Sequence, residues 1–110
     1  MKTFQNQVAI VTGAGQGIGL EICRQLASQG ASVILNDIQQ SLAEEGAYQI
    51  QKEHGRCIPF GGDASDISFI QQMVREAVKQ FGKLDIAIAN AGITLYGDFF
   101  DYKLEDFNHV

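Results

Sequence analysis

The chain has 110 residues, room for one hydrophobic core and not for two. Apolar residues make up 45% and charged residues 19%, an ordinary globular balance. The formal net charge is −5 with no basic cluster, which argues against a nucleic-acid partner or an anionic membrane surface. Any phosphate that binds must be held by local backbone geometry. No apolar run approaches membrane-spanning length, and Met1–Gln7 carries one basic residue and no apolar core before the first strand, so no signal peptide is expected.

In chain order, Val8–Val11 is a short continuous apolar run, as expected for a strand covered on both faces. Glycines follow at 13, 15, 17 and 19, and the period then changes: Ile18, Ile22 and Leu26, with Ala27 beside them, predict one buried helical stripe ending at Gly30. Val33–Leu35 forms a second buried strand that closes on Asn36 and Asp37. A more polar helix starts at Gln40 or Ser41, faces inward with Leu42, Ala43, Ala47 and Ile50, and is closed by Gly55. Its low apolar content suggests a largely exposed outer helix.

Cys57–Phe60 is a third strand, and Pro59 places it at a sheet edge because proline cannot donate to a central ladder. Ser65 or Asp66 is placed to cap the next helix. Ile67, Ile70, Met73, Val74, Ala77, Val78 and Phe81 form the clearest helical stripe in the chain, and Gly82 ends it. Leu84–Ala89 is a fourth strand, followed by Asn90, Ala91 and Gly92. Residues 93–101 read as irregular, and Lys103–Val110 as the start of another helix.

Strands alternating with helical segments imply a parallel sheet with right-handed crossovers, the three-layer doubly wound α/β class. With the third strand at an edge, the expected order is 3-2-1-4. The turns after strands 1 and 4 then meet at the topological switch point, where such sheets bind ligands.

A glycine-rich turn leading into a helix lets an anion approach the helix N-terminus, where backbone N–H groups and the helix dipole favour negative charge. Such a turn alone is a weak signal. Here it directly follows the first strand, and Asp37 ends the second strand twenty residues beyond Gly17. A carboxylate at that spacing accepts hydrogen bonds from the adenosine ribose of a dinucleotide and repels a 2′-phosphate. No Lys or Arg lies in the turn or just after Asp37, so NAD(H) is expected rather than NADP(H).

The G-x-G-x-x-G form is absent because Ile18 stands where its last glycine would fall; the turn reads Thr12-Gly13-x-x-x-Gly17-Ile18-Gly19. With this turn the chain resembles the classical short-chain dehydrogenase/reductase family. Asp37, Gly62-Asp63-Ala64 and Asn90-Ala91-Gly92 fit the same family in order, and Leu104–Val110 looks like the start of its long interface helix. The resemblance spans essentially the whole chain. It implies a Rossmann fold over residues 1–110, the N-terminal NAD(P)-binding part of a larger enzyme, incomplete at the strand 4 edge.

Carried over, the resemblance assigns Gly13, Gln16, Gly17, Ile18 and Gly19 to the pyrophosphate and nearby ribose. Asp37 and Ile38 fall at the adenosine ribose, and Asp63 with Ala64 at the adenine. Asn90, Ala91 and Gly92 stabilise the central sheet beneath the nicotinamide ribose, and Val110 approaches the adenine. Ala89 stands where many members have a second asparagine. The family transfers hydride between nicotinamide and a secondary alcohol or ketone, using a Ser, a Tyr-x-x-x-Lys pair and an Asn. In the family these follow strands 4 and 5, beyond Val110, so no catalytic residue is expected in this chain.

Tyr48-Gln-Ile-Gln-Lys52 matches Y-x-x-x-K literally, with both side chains on one helical face. It lies on the second helix, beyond the adenosine end, and reads as a chance surface pair. Tyr96 and Tyr102 have no lysine four residues on. Cys23 and Cys57 lack the close spacing of a zinc or redox motif and read as free thiols of a cytoplasmic protein. His54 and His109 are isolated and read as surface residues, so no metal is expected.

The expected parent is an NAD-dependent oxidoreductase, a dimer or tetramer through the helix near Leu104. A fragment ending at strand 4 is expected to expose an apolar parallel edge and to aggregate or lose fixed packing. Two alternatives remain open: a short NAD-binding or interaction module without turnover, and a methyltransferase using S-adenosylmethionine. The second is disfavoured because Val11-Thr12, not an acid, precedes the turn.

Overall fold

The computed structural model describes residues 3–90. Seven elements alternate along them: β1 (Val8–Thr12), α1 (Gly17–Ser28), β2 (Ser32–Asp37), α2 (Gln40–Lys52), β3 (Arg56–Gly61), α3 (Ile67–Phe81) and β4 (Ile86–Ala89). All strand pairs are parallel, and the order is β3-β2-β1-β4, as the sequence predicts.

Pro59 sits on β3 at the edge, opposite Leu35. In a parallel ladder alternate residues direct their backbone groups to the same side. The Cys57 carbonyl accepts from the Gln51 side chain at 2.7 Å, so Cys57 and Pro59 both face away from β2. The missing N–H of Pro59 therefore leaves the ladder intact.

Side-chain alternation along the strands sorts the core into two layers. Ala9, Val11, Val33, Leu35 and Cys57 pack beneath α1 and α2 with Cys23, Leu26, Ala43, Ala47 and Ile50. Val8, Ile10 and Ile34 face the other way, onto Met73 and Ala77 of α3. Both strand faces are buried, which is why β1 and β2 read as unbroken apolar runs. Before β1, Phe4 packs against the first layer and its N–H donates to the Gln29 carbonyl at 2.9 Å.

Four local expectations differ from what is observed. The inward stripe of α1 is Gly19, Cys23, Leu26 and Ala27, and Ile18 is 75% exposed. A one-residue phase shift follows from Gly19 lying against the turn, which rotates Ile18 outward. His54 (φ 70°), not Gly55, takes the left-handed position after α2. Gly55 is required by packing, since a Cβ there would lie 2.7 Å from Ile50 Cγ2 and 2.9 Å from Ala27 Cβ.

On α3, Val78 is exposed and only Met73 and Ala77 are fully buried, because α3 alone covers its face among the described residues. Finally, β4 begins at Ile86. Asp85 precedes it, its carboxylate accepting from Val8 N at 2.8 Å and its N–H donating to the Val8 carbonyl at 2.9 Å. Leu84 packs against the second core layer.

Candidate cofactor site

All four strands run the same way, so the turns after β1, β2, β3 and β4 gather at one edge of the sheet. There β1 and β4 are neighbours, while the α1 and α3 connections lie on opposite faces. The crevice between them is the switch point of a doubly wound sheet.

The turn after β1 brings helix α1 close to the strands. A Cβ at Gly19 would stand 2.6 Å from the Gly13 carbonyl oxygen, 2.6 Å from Asn90 Nδ2 and 2.8 Å from Ala14 Cα. No side chain is compatible with that approach. Gly17 differs: its φ of 66° is left-handed, yet a Cβ there would meet nothing within 4 Å among the described residues. Glycine at 17 serves the chain's turn, which needs the left-handed φ.

Gln16, the N-cap of α1, is extended (φ −160°), makes no side-chain cap, and no acidic residue follows in the first turn. Among the described residues no side-chain cap serves the first N–H groups of α1, where the positive end of its dipole lies. Ile18, 75% exposed, and Ile38, 68% exposed, add apolar surface at the start of α1 and after β2.

Asp37 ends β2 and is only 8% exposed. Its Oδ2 accepts from Gly15 N and its Oδ1 from Gln39 N, both at 3.0 Å. The same carboxylate excludes a side chain at 15, where a Cβ would lie 2.8 Å from Oδ2. A carboxylate offers about four acceptor positions, so two remain after the backbone N–H groups are served.

Asn36, one residue earlier, is 1% exposed. Its Nδ2 donates to the carbonyls of Phe60 at 2.8 Å and Gly62 at 3.1 Å. Gly62 N donates to the Asp37 carbonyl at 2.9 Å, and Gly61 N to Gln40 Oε1 at 2.8 Å. Asp63 then turns the chain, its Oδ1 accepting from Ser65 N at 2.9 Å and Ser65 Oγ at 2.7 Å. Those two bonds hold its carboxyl below the usual aspartate range.

Between these loops lies a cleft of about 250 Å³. Gly13, Asp37, Ile38, Asp63 and Ala64 of the expected set line it, together with Asn36, Gly62 and Ser65. Gln16, Gly17, Ile18 and Gly19 lie at the start of α1 and outside its lining. Asn90 ties the far side: its N–H donates to Thr12 Oγ1 and its Nδ2 to the Gly13 carbonyl, both at 3.1 Å. Ala91, Gly92, Tyr96, Tyr102, Val110 and the helix expected near Leu104 lie outside the described residues.

Asn36 and Gln40 carry no role in the sequence reading. A lone amide at the end of an apolar strand was a visible signal for the first, whereas nothing marks Gln40 among the polar residues of its helix. Tyr48 and Lys52 stand on α2 with Tyr48 60% exposed and the Lys52 ammonium 5.3 Å from its ring centroid, a surface cation–π pair. No group of three or more His, Cys, Asp or Glu that could hold a metal occurs among the described residues. Cys23 and Cys57 are free and buried; burial pushes the Cys57 thiol up to about 12 and the Cys23 thiol higher.

The family model described as short chain dehydrogenase matches residues 7–110. The chain belongs to that family. It is 43% identical over 109 residues to a short-chain dehydrogenase/reductase of Armillaria gallica, covering 96% of this chain and 41% of that protein. To an uncharacterized oxidoreductase of Thermotoga maritima it is 37% identical over 105 residues, again covering 96% and 41%. The chain thus spans about two fifths of the length of these curated relatives.

Among solved structures, a hydroxysteroid dehydrogenase from Escherichia coli superposes with a TM-score of 0.78 at 35% identity, over 81% of this chain and 36% of that one. A 7α-hydroxysteroid dehydrogenase in complex with NADH and 7-oxo glycochenodeoxycholic acid gives 0.73 at 33% identity, over 76% and 33%. The sheet order and the T-G-x-x-x-G-I-G turn are those of a classical short-chain dehydrogenase with an NAD(P) cofactor. No helix among the described residues is long and apolar enough to cross a membrane.

Proposed function

We propose that residues 1–110 are the cofactor-binding portion of an NAD-dependent short-chain oxidoreductase that interconverts a secondary alcohol and a ketone. The observation that carries the reading is the start of α1, which has no side-chain cap and, at Gly17, no described residue within 4 Å of a Cβ position, beside a cleft that holds Asp37. The residues present fit a dinucleotide. Gly13, Gln16, Gly17, Ile18 and Gly19 would hold the pyrophosphate and nearby ribose, Asp37 and Ile38 the adenosine ribose, and Asp63 with Ala64 the adenine. Asn90, Ala91 and Gly92 would support the nicotinamide ribose, with Val110 beside the adenine. When bound, the nicotinamide supplies or accepts the hydride.

The preference for NAD over NADP rests on Asp37. Its two unused acceptor positions suit ribose hydroxyls, and its negative charge opposes a 2′-phosphate. The solved relative in complex with NADH supports the same choice. The substrate would be a small-molecule alcohol or ketone, the compartment the cytoplasm, where buried free thiols persist, and the assembly a homodimer or homotetramer.

Fluorescence titration of the full-length protein with NADH and NADPH tests this reading. Wild type is expected to bind NADH more tightly, and Asp37→Ala to lose about tenfold in NADH affinity, a difference of about 1.4 kcal/mol. Equal NADH affinities for wild type and variant would sink the ribose assignment.

A further inference from the structure

We infer that Asn36 is a positioning residue for the adenosine end of the cleft, an inference that rests on the nucleotide reading above. Asn36 is the penultimate residue of β2, after Val33, Ile34 and Leu35, which are apolar and wholly buried. An amide at such a place is costly to bury unless its hydrogen bonds are made, and an apolar side chain would fill the space without that condition. Here both amide hydrogens are used, on the carbonyls of Phe60 and Gly62.

The second bond is the informative one. The β2–β3 register ends at Asp37 and Gly61, so Gly62 lies one residue beyond the ladder. Two contacts reach back to it from β2: the Asp37 carbonyl, which accepts from Gly62 N, and the Asn36 amide, which donates to the Gly62 carbonyl. Gly62 also has a φ of 154°, and the Phe69 ring occupies the place where its Cβ would be. The segment is thus fixed from the strand on one side and from α3 on the other.

Asn36 reaches the opposite wall as well, since its own carbonyl accepts from Ala14 N at 2.7 Å in the glycine turn. One residue therefore sets the distance between the turn that would hold the pyrophosphate and the loop, Gly62–Ala64, that would hold the adenine. A wall fixed in advance removes an ordering cost from binding. Without the amide the Gly62 carbonyl loses its tie to β2 and the wall is free to move.

The test uses Asn36→Asp and Asn36→Ala in the full-length protein. The aspartate keeps the shape and replaces the donor nitrogen with an acceptor oxygen; the alanine removes the group without adding charge. The NADH Kd is expected to rise about tenfold in either, with faster amide hydrogen exchange confined to Gly62–Ser65. A purely structural role would instead raise exchange throughout β1, β2 and β3.

A folded variant that binds NADH within twofold of wild type, or exchange that rises evenly across the sheet, overturns the inference. Should neither variant fold, the unaltered protein decides by NMR. The Asn36 side-chain amide signals are expected to exchange slowly and to shift when AMP is added; signals that do not move overturn the inference. Failure of wild type to bind either NADH or NADPH is a different outcome, which removes the nucleotide reading itself.

Discussion

Helices α1 and α3 both leave loops at the carboxyl edge of the sheet, yet they close their first turns in opposite ways. At α3, Asp66 turns its carboxylate back onto Ser68 N at 2.9 Å, satisfying a donor that the helix cannot serve itself. At α1, Gln16 makes no side-chain cap, and a Cβ at Gly17 would meet nothing within 4 Å among the described residues. Helix α2, which starts beside Asp37, also has no side-chain cap. Helices α1 and α2 start without a side-chain cap, and α3, which follows Ser65 of the cleft wall, starts with one. A capped end serves stability alone; an uncapped end next to a cleft leaves donors that a phosphate can satisfy.

The largest test of this contrast is Gly19→Ala. Its Cβ would press on two backbone atoms, at 2.6 and 2.8 Å, and we expect a loss of about 2 kcal/mol in stability from overpacking together with loss of NADH binding. A melt unchanged from wild type would show that the close approach of α1 is not required. Gly17→Ala comes next. The left-handed φ costs about 1 kcal/mol with a Cβ present, while the added methyl meets none of the described residues within 4 Å, so binding should suffer more than melting. Parallel losses in the two measurements would argue against a ligand in front of Gly17.

Asp66→Ala is the converse. Loss of the cap is expected to cost about 1 kcal/mol with NADH affinity unchanged, and a change in affinity would break the separation between a structural and a ligand-facing helix start.

The smallest effect concerns the core beneath α1 and α2. Cys23 and Cys57 have folded pKa values raised above the ordinary 9.0, so their contribution is full below that value and falls as pH rises through it. Between pH 7 and 9 each buried thiol should cost about 0.4 kcal/mol of stability, read from denaturant melts against a Cys23→Ala, Cys57→Ala control. A control with the same pH slope would contradict the burial of these thiols.

Much of the architecture was legible because its causes are local. The apolar runs at Val8–Val11 and Val33–Leu35, the helical stripe of α3 and the edge proline at 59 fix element type and strand order through side-chain period and a missing N–H. The phase of α1 was not legible. Ile18 matches a four-residue stripe with Ile22 and Leu26, and only the contact of Gly19 with Gly13 and Asn90 rotates it into solvent. The same limit applies at His54 and Gly55, where a packing contact with Ile50 and Ala27 decides which residue must be glycine.

The sequence by itself determined the parallel doubly wound sheet, its 3-2-1-4 order, the family, and the presence of an acid at the end of β2, because each depends on residue type at short range or at fixed spacing. Only the tertiary structure decided what that acid and its neighbour do. Asp37 meets Gly15 across 22 positions and Asn36 meets Gly62 across 26. Partnerships of that range are set by how three strand ends and two helix starts converge, which no local pattern records.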